Sequence, residues 1–453
     1  MIYPLKSQPL SFAPRTDKHS FLLPTLAMII SHYSHACATS RFLRPRHLTK
    51  LSSFAHGEFP SPFGVRSCNI RLKRRISPHR SSSAVVVALM TDPNYFEVGR
   101  FVGSYGFMNI TSYSSFQTEG MPTYDRIQEV DKLRVQNVGE GQVKIRIYEG
   151  RVIQGRLKGT NVLFKVYPGR VTGGIESDLM AANELASHVS LQENPRNICE
   201  NIQFLLGAFE TKTGEQWLAF RNDGKFSAAD YAKFASKNIS KGLSNSLPIF
   251  GLGQNWKARR YFVIKLLNGA MNGLAYMHEN DRLHQSLGPS SVVMNTVIER
   301  DAGVLVPRLR DLAFSVDIRY SAIGDGPLSQ DLWHRATSAG AFSPFEKRAF
   351  AIADDIYEAG FLFAYLAFVP FCEAGIIDGI SLQRLLESTF RLDLSSVREY
   401  CIADDRLAEA VKFLDLGNGA GWELLQAMLN PDYKQRPIAQ AVLTHRFMTG
   451  AVL

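Results

Sequence analysis

The chain has 453 residues, of which 45% are hydrophobic and 11% aromatic, so it can bury one or two substantial cores and is not a fibrous or wholly disordered protein. Its formal net charge is +9, but residues 1–90 contain 13 Lys and Arg against two Asp and Glu, which leaves 38 basic and 40 acidic residues, a net charge of −2, for the rest. The globular part therefore has no excess of basic residues with which to bind nucleic acid, and no nucleic-acid partner is predicted.

Residues 1–88 are rich in Ser, Pro, His and Arg and have no regular apolar period. This composition is typical of an organelle transit peptide, because a basic and poorly folding segment is readily threaded through an import channel. A secretory signal is an alternative, since an apolar run at 21–30 precedes an A-x-A-like cleavage site at 36–38, and a disordered tail without a signal is another. We predict a disordered transit peptide and a chloroplast location, with the mitochondrion or the secretory pathway as alternatives.

Residues 89–129 form an aromatic and glycine-rich segment. Seven aromatic side chains fall within 95–116 at strand-like spacing, and the glycines among them argue against a helix. We interpret 89–129 as an N-terminal extension of the folded domain, either an edge strand or a docking segment. Peripheral membrane association through its aromatic residues is a further alternative.

The hydrophobic periodicity changes from strands to helices along the chain. Alternating or short apolar segments predict strands at 143–147, 161–166, 204–209 and 216–220, with a helix at 176–192. Beyond a polar linker, apolar stripes predict helices at 259–279, 354–372, 379–392, 405–415 and 422–430. We therefore predict an α+β fold over residues 130–450, in which a small antiparallel β-rich N-lobe (130–221) and a larger helical C-lobe (225–450) enclose a cleft.

The apolar run at 359–372 raises the question of a membrane span. It falls short of the roughly 20 residues that a transmembrane helix needs, and Pro370 lies near its end, so we predict a buried core helix. The three cysteines beyond the leader, Cys199, Cys372 and Cys401, are widely spaced and predict neither a disulfide framework nor a zinc site.

The segment 283–295, LHQSLGPSSVVMN, has the frame of the protein-kinase catalytic loop H-R-D-L-x-x-x-N. His284 and Leu287 stand where that frame needs them, whereas Ser286 replaces the catalytic Asp and Ser291 replaces the metal-binding Asn. Further motifs follow in the family's order, and over residues 130–450 the chain resembles the protein kinase superfamily. The resemblance implies a kinase-like, two-lobed fold.

Nucleotide-binding roles in the N-lobe are implied by the resemblance. Lys165, in VLFK, resembles the V-A-I-K lysine that pairs the α and β phosphates with a helix Glu, for which Glu184 is the natural partner. Gly139 and Gly141 match the first two glycines of the phosphate loop G-x-G-x-x-G. Leu163 projects from the same strand face as Lys165 and is expected to crowd the place of the adenine ring.

In the C-lobe, Asp311 in LRDLA occupies the place of the D-F-G Asp and would be the magnesium-binding carboxylate. Four residues match positions that hold the fold in kinases: His284 in the catalytic loop, Glu346 in SPFE, Asp355 in DDIYEAG and Arg436 in NPDYKQRP. The resemblance implies that Asp355 holds the catalytic-loop backbone. It also implies that Glu346 and Arg436 form a buried ion pair.

The replaced residues decide which function the resemblance favours. A positioned general base contributes about 10²- to 10⁴-fold to a rate, and Ser286 is no useful proton acceptor at neutral pH. Because Ser291 also removes a metal ligand, no catalytic residue is expected, and ATP and Mg²⁺ are expected to bind weakly or not at all, through Lys165, Glu184 and Asp311. We predict a plastid-targeted pseudokinase that acts as a binding or scaffolding module for an unidentified protein partner. The alternative is an atypical Ser/Thr protein kinase that binds ATP and transfers phosphate to protein.

Overall fold

The structure, a computed structural model, describes residues 89–106, 143–194, 197–244, 256–324, 326 and 328–450. They belong to one unit, Ala84–Leu453. The predicted transit peptide at 1–88 and the predicted phosphate-loop residues Gly139 and Gly141 lie outside the described residues.

Long strands come first along the described chain, and most of the helices follow. Strands β1 to β5 are Phe96–Gly106, Lys144–Val152, Asn161–Tyr167, Leu205–Glu210 and Gln216–Arg221, with helix α1, Arg170–Leu191, between β3 and β4. The short strands β6 to β10 are Phe226–Ser227, Arg282–Leu283, Val292–Met294, Arg308–Leu309 and Val316–Asp317. Helices α2 to α10 are Ala228–Ser244, Trp256–Glu279, Gln330–Ser338, Pro344–Phe368, Gly379–Arg384, Leu394–Ile402, Ala408–Leu414, Leu416–Met428 and Ala439–Thr444.

The first five strands form one antiparallel sheet in the order β1-β2-β3-β5-β4. Strand β3 lies at its centre, where Lys165 is opposite Ile147 of β2 and Leu218 of β5. Helix α1 packs on β3, β4 and β5. The sheet and this helix together therefore determine where the side chain of Lys165 meets the side chains of α1.

Strand β1 lies within the segment that we predict as an N-terminal extension. It pairs with β2 from Phe96, opposite Val152, to Gly106, opposite Lys144, with two register shifts between. The ring of Phe96 packs edge-on against that of Phe164 at 5.5 Å between centroids, which ties the strand to the core of the sheet. Strand β1 therefore forms an edge strand of the sheet from Phe96, ahead of the predicted N-lobe boundary at residue 130.

Helices α3 and α5 are the two longest of the described helices, and more than half of the residues of each are buried. Most side chains in the second half of α5 are buried, and Pro370, which has no N–H to continue the α-helical hydrogen bonds, lies in a 3-10 turn at Val369–Phe371 directly after it. The predicted core helix at 359–372 is thus seen as the end of α5 and this turn. Among the described residues, none of the helices combines the length and the hydropathy needed to cross a bilayer. A small antiparallel sheet with one helix, followed by a larger helical part, is the two-lobed, kinase-like α+β fold predicted from the sequence.

The pairing of β1 with β2 depends on a glycine. A Cβ atom added to Gly150 would overlap the carbonyl oxygen of Glu97 and lie 2.5 Å from Cε2 of the buried Phe164, whereas one added to Gly103 would meet no atom within 4 Å. Gly150→Ala is therefore expected to lower the free energy of unfolding by about 1–3 kcal/mol, as overpacking does. Gly103→Ala is the matched control, and urea unfolding measures both. An equal effect of the two substitutions would show that close packing at Gly150 is not what holds β1.

Candidate functional site

Lys165, Glu184 and Asp311 meet in one buried cluster, although they come from β3, α1 and the segment after β9. The ammonium of Lys165 donates to both carboxylate oxygens of Glu184, each at 2.7 Å, and to Oδ1 of Asp311 at 2.8 Å. The three residues are 4%, 1% and 4% exposed. The structure therefore brings together the three residues through which the sequence predicts nucleotide and metal binding.

Asp311 is held in the left-handed backbone region, with φ of 66°, just before the 3-10 turn Leu312–Phe314. Asp adopts this region more readily than most residues, because its short side chain can form local hydrogen bonds. Burial alone would raise the pKa of Asp311, but the charges of Lys165 and Arg310 outweigh it and hold that pKa well below its usual range. Asp311 is therefore a carboxylate whose negative charge is already neutralised by the protein.

Two further residues of this cluster contact Asp311 and are missing from the sequence prediction. The hydroxyl of Tyr105, at the end of β1, donates to Oδ1 of Asp311 at 2.8 Å. The guanidinium of Arg310 has its Nε 3.2 Å from Oδ2 of Asp311, and its Nε and Nη2 donate to the carbonyl of Ser290 at 3.1 and 2.9 Å. Oδ1 of Asp311 thus accepts hydrogen bonds from this chain, and Oδ2 lies within ion-pair distance of the Arg310 guanidinium.

Signals for both residues exist in the sequence. Tyr105 is one of the seven aromatic residues of 95–116, and Arg310 directly precedes the motif Asp. Burial, and next the charge of Asp311, raise the pKa of Tyr105 well above its usual value, so its hydroxyl keeps the proton that it donates. What the sequence does not reveal is that these two side chains reach the same carboxylate.

The hydroxyls of the two serines that replace the catalytic residues are already hydrogen-bonded within the protein. The hydroxyl of Ser286 donates to the carbonyl of Asp311 at 3.1 Å and lies 3.3 Å from Nδ1 of His284. The hydroxyl of Ser291 donates to the carbonyl of Gly288 at 2.8 Å and accepts from its N–H at 2.9 Å. Both hydroxyls are therefore engaged, and the loop presents no carboxylate at the position where a kinase has its base.

Asp355 of α5 contacts the backbone of this loop, as the resemblance implies. Its carboxylate accepts from the N–H of His284 at 2.8 Å, from the N–H and side chain of Gln285, each at 2.9 Å, and from Nε2 of His278 at 3.0 Å. Nε2 of His284 in turn donates to the carbonyl of Arg310 at 3.0 Å. The buried carboxylate of Asp355 thus holds the loop backbone. The buried imidazole of His284 connects the loop to the segment that carries Asp311.

The predicted buried ion pair between Glu346 and Arg436 is corrected by the structure. Glu346 is the third residue of α5 and forms a capping box with Ser343, in which its carboxylate accepts from the N–H of Ser343 at 2.9 Å. The guanidinium of Arg436 donates to the carbonyls of Asn430 and Ala353 at 2.7 and 3.1 Å. A capping box satisfies two orphan N–H groups at the start of a helix. The Glu346 carboxylate is engaged in this local motif, whereas the resemblance assigns it to Arg436.

A cavity of 670 Å³ opens beside the cluster. Tyr105, Arg310 and Asp311 are among the residues that line it, together with residues of the catalytic loop, α2, the second half of α5, α6 and the segment between α5 and α6. Leu163, which we expect to crowd a bound adenine ring, is partly buried between Glu149 and Phe220 on the neighbouring strands and is not among the residues that line this cavity.

The residues of the cluster do not fit a divalent cation. In the part of the chain that the structure describes, no three His, Cys, Asp or Glu side chains are grouped as metal ligands. Mg²⁺ prefers oxygen ligands at 2.0–2.1 Å in an octahedron. Asp311 offers such oxygens, but Lys165 and Tyr105 contact one of them and Arg310 faces the other. The Ser291 hydroxyl is engaged by the backbone of Gly288.

Comparison with known proteins gives little beyond this geometry. No family model matches the chain, and no curated protein matches it. Among the solved structures that resemble it is the crystal structure of a Stt7 homolog from Micromonas algae soaked with ATP. The two chains are 15% identical, the match covers 85% of this chain and 98% of the other, and the TM-score is 0.47. A likeness this distant assigns no role to any residue of this chain.

Proposed function

We propose that this chain is a plastid pseudokinase, a binding or scaffolding module that recruits a protein partner and transfers little or no phosphate. The plastid location is supported by the composition of residues 1–88, which is basic, Ser-rich and poor in acidic residues. The scaffolding role is supported by the hydrogen bonds and ion pairs that engage the side chains of the cleft.

The main support for the proposal is the set of hydrogen bonds and ion pairs around Lys165. Its ammonium, which in a kinase would be available to phosphates, is engaged by the carboxylates of Glu184 and Asp311. The positive charges of Lys165 and Arg310 balance the two negative charges of these carboxylates, and the hydroxyl of Tyr105 completes the contacts of Asp311. The cluster is thus neutral and internally bonded, so it needs neither phosphate nor a metal ion to be stable.

The catalytic loop supports the same proposal independently. Ser286 stands where a base would accept the proton of a substrate hydroxyl, and its own hydroxyl donates to the backbone of Asp311. A group that is protonated and already donating accepts no proton at neutral pH. Loss of the base removes about 10²- to 10⁴-fold of rate, in addition to the loss of the metal ligand at Ser291.

One observation favours the alternative, an atypical Ser/Thr kinase. Lys165, Glu184 and Asp311 are assembled with hydrogen-bond distances of 2.7 and 2.8 Å, which is the set that a nucleotide-binding kinase uses. For this set to hold a nucleotide and a metal ion, Tyr105 and Arg310 would have to leave Asp311.

Phosphate transfer distinguishes the two functions. With labelled ATP, a general protein substrate and either Mg²⁺ or Mn²⁺, the full-length protein is expected to incorporate no more phosphate than its Asp311→Asn variant does. The reason is that the base is absent and the cleft carboxylate is neutralised. Circular dichroism confirms that the variant is folded. Incorporation that the wild type shows and the folded Asp311→Asn variant lacks would favour the atypical kinase.

A further inference from the structure

We infer that Arg310 is a resident cation of the cleft: its guanidinium takes the place beside Asp311 where a kinase holds a divalent ion, and it thereby excludes such ions. The inference deepens the proposed function, on which it rests for the identity of the cleft. It concerns which cations the site admits, whereas the proposed function concerns phosphate transfer.

The first step is the occupancy of the Asp311 carboxylate. Oδ1 accepts from Lys165 and Tyr105, each at 2.8 Å, which leaves Oδ2 as the oxygen with room for a cation. Nε of Arg310 lies 3.2 Å from that oxygen. The one open oxygen of the carboxylate therefore already faces a full positive charge.

The second step is that Arg310 is held at this place. Its Nε and Nη2 both donate to the carbonyl of Ser290, and its side chain is only 25% exposed. On the main chain, its N–H donates to the carbonyl of Ser291 at 2.9 Å, and its carbonyl accepts from His284 at 3.0 Å. Contacts on both sides of the residue thus fix the guanidinium against the catalytic loop.

The third step is electrostatic. A guanidinium remains charged at every pH at which proteins fold, and it cannot yield its proton to make room for a metal ion. A divalent ion bound about 2.1 Å from Oδ2 would lie against this charge in a buried site, where repulsion between like charges is strong. The cluster of Lys165, Arg310, Glu184 and Asp311 is neutral as it stands. Removal of Arg310 would leave one net negative charge, which is what a cation site requires.

The fourth step concerns the second ligand. The hydroxyl of Ser291 is bonded to the backbone of Gly288 in both directions, so removal of Arg310 alone would expose a single carboxylate oxygen. An Asn at this position would supply an amide oxygen of the kind that divalent ions accept. The exclusion by Arg310 is therefore measured best in the presence of Ser291→Asn.

The experiment measures binding of Mn²⁺, without nucleotide, to the full-length protein by electron paramagnetic resonance, which detects free Mn²⁺. Ser291→Asn alone is expected to leave binding as weak as in the wild type, because Arg310 is still present. The double variant Arg310→Ala/Ser291→Asn is expected to bind Mn²⁺ on the order of tenfold or more tightly than Ser291→Asn, and Asp311→Asn added to it should abolish the gain. Arg308→Ala/Ser291→Asn is the matched control, since Arg308 lies two residues earlier and its Nε is 3.5 Å from Asp223.

Two results would overturn the inference. One is binding of Mn²⁺ by the wild type that Asp311→Asn removes, and the other is equal binding by Arg310→Ala/Ser291→Asn and Ser291→Asn. If the Ala variant does not fold, Arg310→Gln serves instead, because its amide can still donate to the Ser290 carbonyl without a charge. Phosphate transfer by a wild type that binds no Mn²⁺ at Asp311 would refute the proposed function alone. Mn²⁺ binding at Asp311 by a wild type without transfer would refute this inference alone.

Discussion

Lys165→Met is expected to lower the free energy of unfolding by about 3–5 kcal/mol, the range found when one partner of a buried ion pair is removed. Lys165 is the cation that two buried carboxylates share, with bonds of 2.7 Å to Glu184 and 2.8 Å to Asp311. Burial by itself would lower the pKa of Lys165, and the charges of these carboxylates raise it well above its usual value instead. In this protein the lysine is therefore expected to act as a structural residue, whatever else it binds.

Urea unfolding of the full-length protein measures the effect, with Lys158→Met as the matched control. Lys158 is also a lysine of the sheet region, but it lies exposed in the turn between β2 and β3. Its substitution is expected to change the free energy of unfolding by no more than about 0.5 kcal/mol, as surface substitutions usually do. If both variants lose the same small amount, the cluster does not stabilise the fold and our account of the cleft fails.

The pH dependence separates the loss of charge from a loss of packing. In the wild type the pKa of Asp311 is lowered, so its contribution to stability is present above its unfolded pKa of about 4 and is lost as the pH falls through the folded value. Without the charge of Lys165, the pKa of Asp311 is expected to rise, so this buried carboxylate takes up a proton at higher pH and the destabilisation of the variant diminishes as the solution is acidified. The difference in stability between wild type and Lys165→Met should therefore be largest near neutral pH and narrow towards about pH 4. A difference that stays constant over this interval would indicate packing alone.

The sequence predicts the centre of the candidate site well. Lys165 and Glu184 lie on a strand and a helix whose periodicity is clear, and Asp311 belongs to a short motif in a fixed order after the catalytic loop. These three residues are expected to lie close together because each motif has a set place in the predicted fold. The resemblance to an ordered set of kinase motifs, and not the periodicity, therefore predicts that these three residues, far apart in the chain, come together.

The edge of the site could not be predicted in the same way. Tyr105 reaches Asp311 from β1, an edge strand rich in glycine whose pairing with β2 shifts register twice. Each one-residue slip of a strand moves every later side chain to the other face of the sheet, so the spacing of aromatic residues alone does not say which of them points into the cleft. For this reason the interpretation of 89–129 as an N-terminal extension leaves open whether it is an edge strand or a docking segment.

The correction at Glu346 has a different cause. The sequence Ser343-Pro344-Phe345-Glu346 is both a match to the kinase A-P-E motif and a capping-box signature, S-x-x-E with Pro at the first helical position. The local signature describes the observed hydrogen bonds, whereas the motif implies a partner 90 residues later in the chain. Where a local capping signal and a distant pairing compete for one carboxylate, the local signal is the better guide here.

Asp355→Ala is expected to lower the free energy of unfolding by about 2–6 kcal/mol, because two buried backbone donors lose their acceptor. Asp355 is fully buried and accepts hydrogen bonds from two backbone N–H groups, those of His284 and Gln285. Leaving a buried donor without its partner costs about 1–3 kcal/mol for each group. Gln285 also has a positive φ of 56°, a conformation that persists only where the surroundings enforce it. Removal of the carboxylate therefore releases a strained segment together with its bonds.

Urea unfolding compares Asp355→Ala with Glu373→Ala, which removes an exposed carboxylate after the end of α5. Asp355→Asn provides a graded test, since it keeps one acceptor oxygen and should lose less stability than Asp355→Ala does. Hydrogen exchange of the His284 and Gln285 amides should accelerate in both Asp355 variants and stay unchanged in Glu373→Ala. Protection of these amides that survives in Asp355→Ala would mean that other contacts hold the loop. In that case packing, and not this carboxylate, would hold the backbone of the catalytic-loop segment in its conformation.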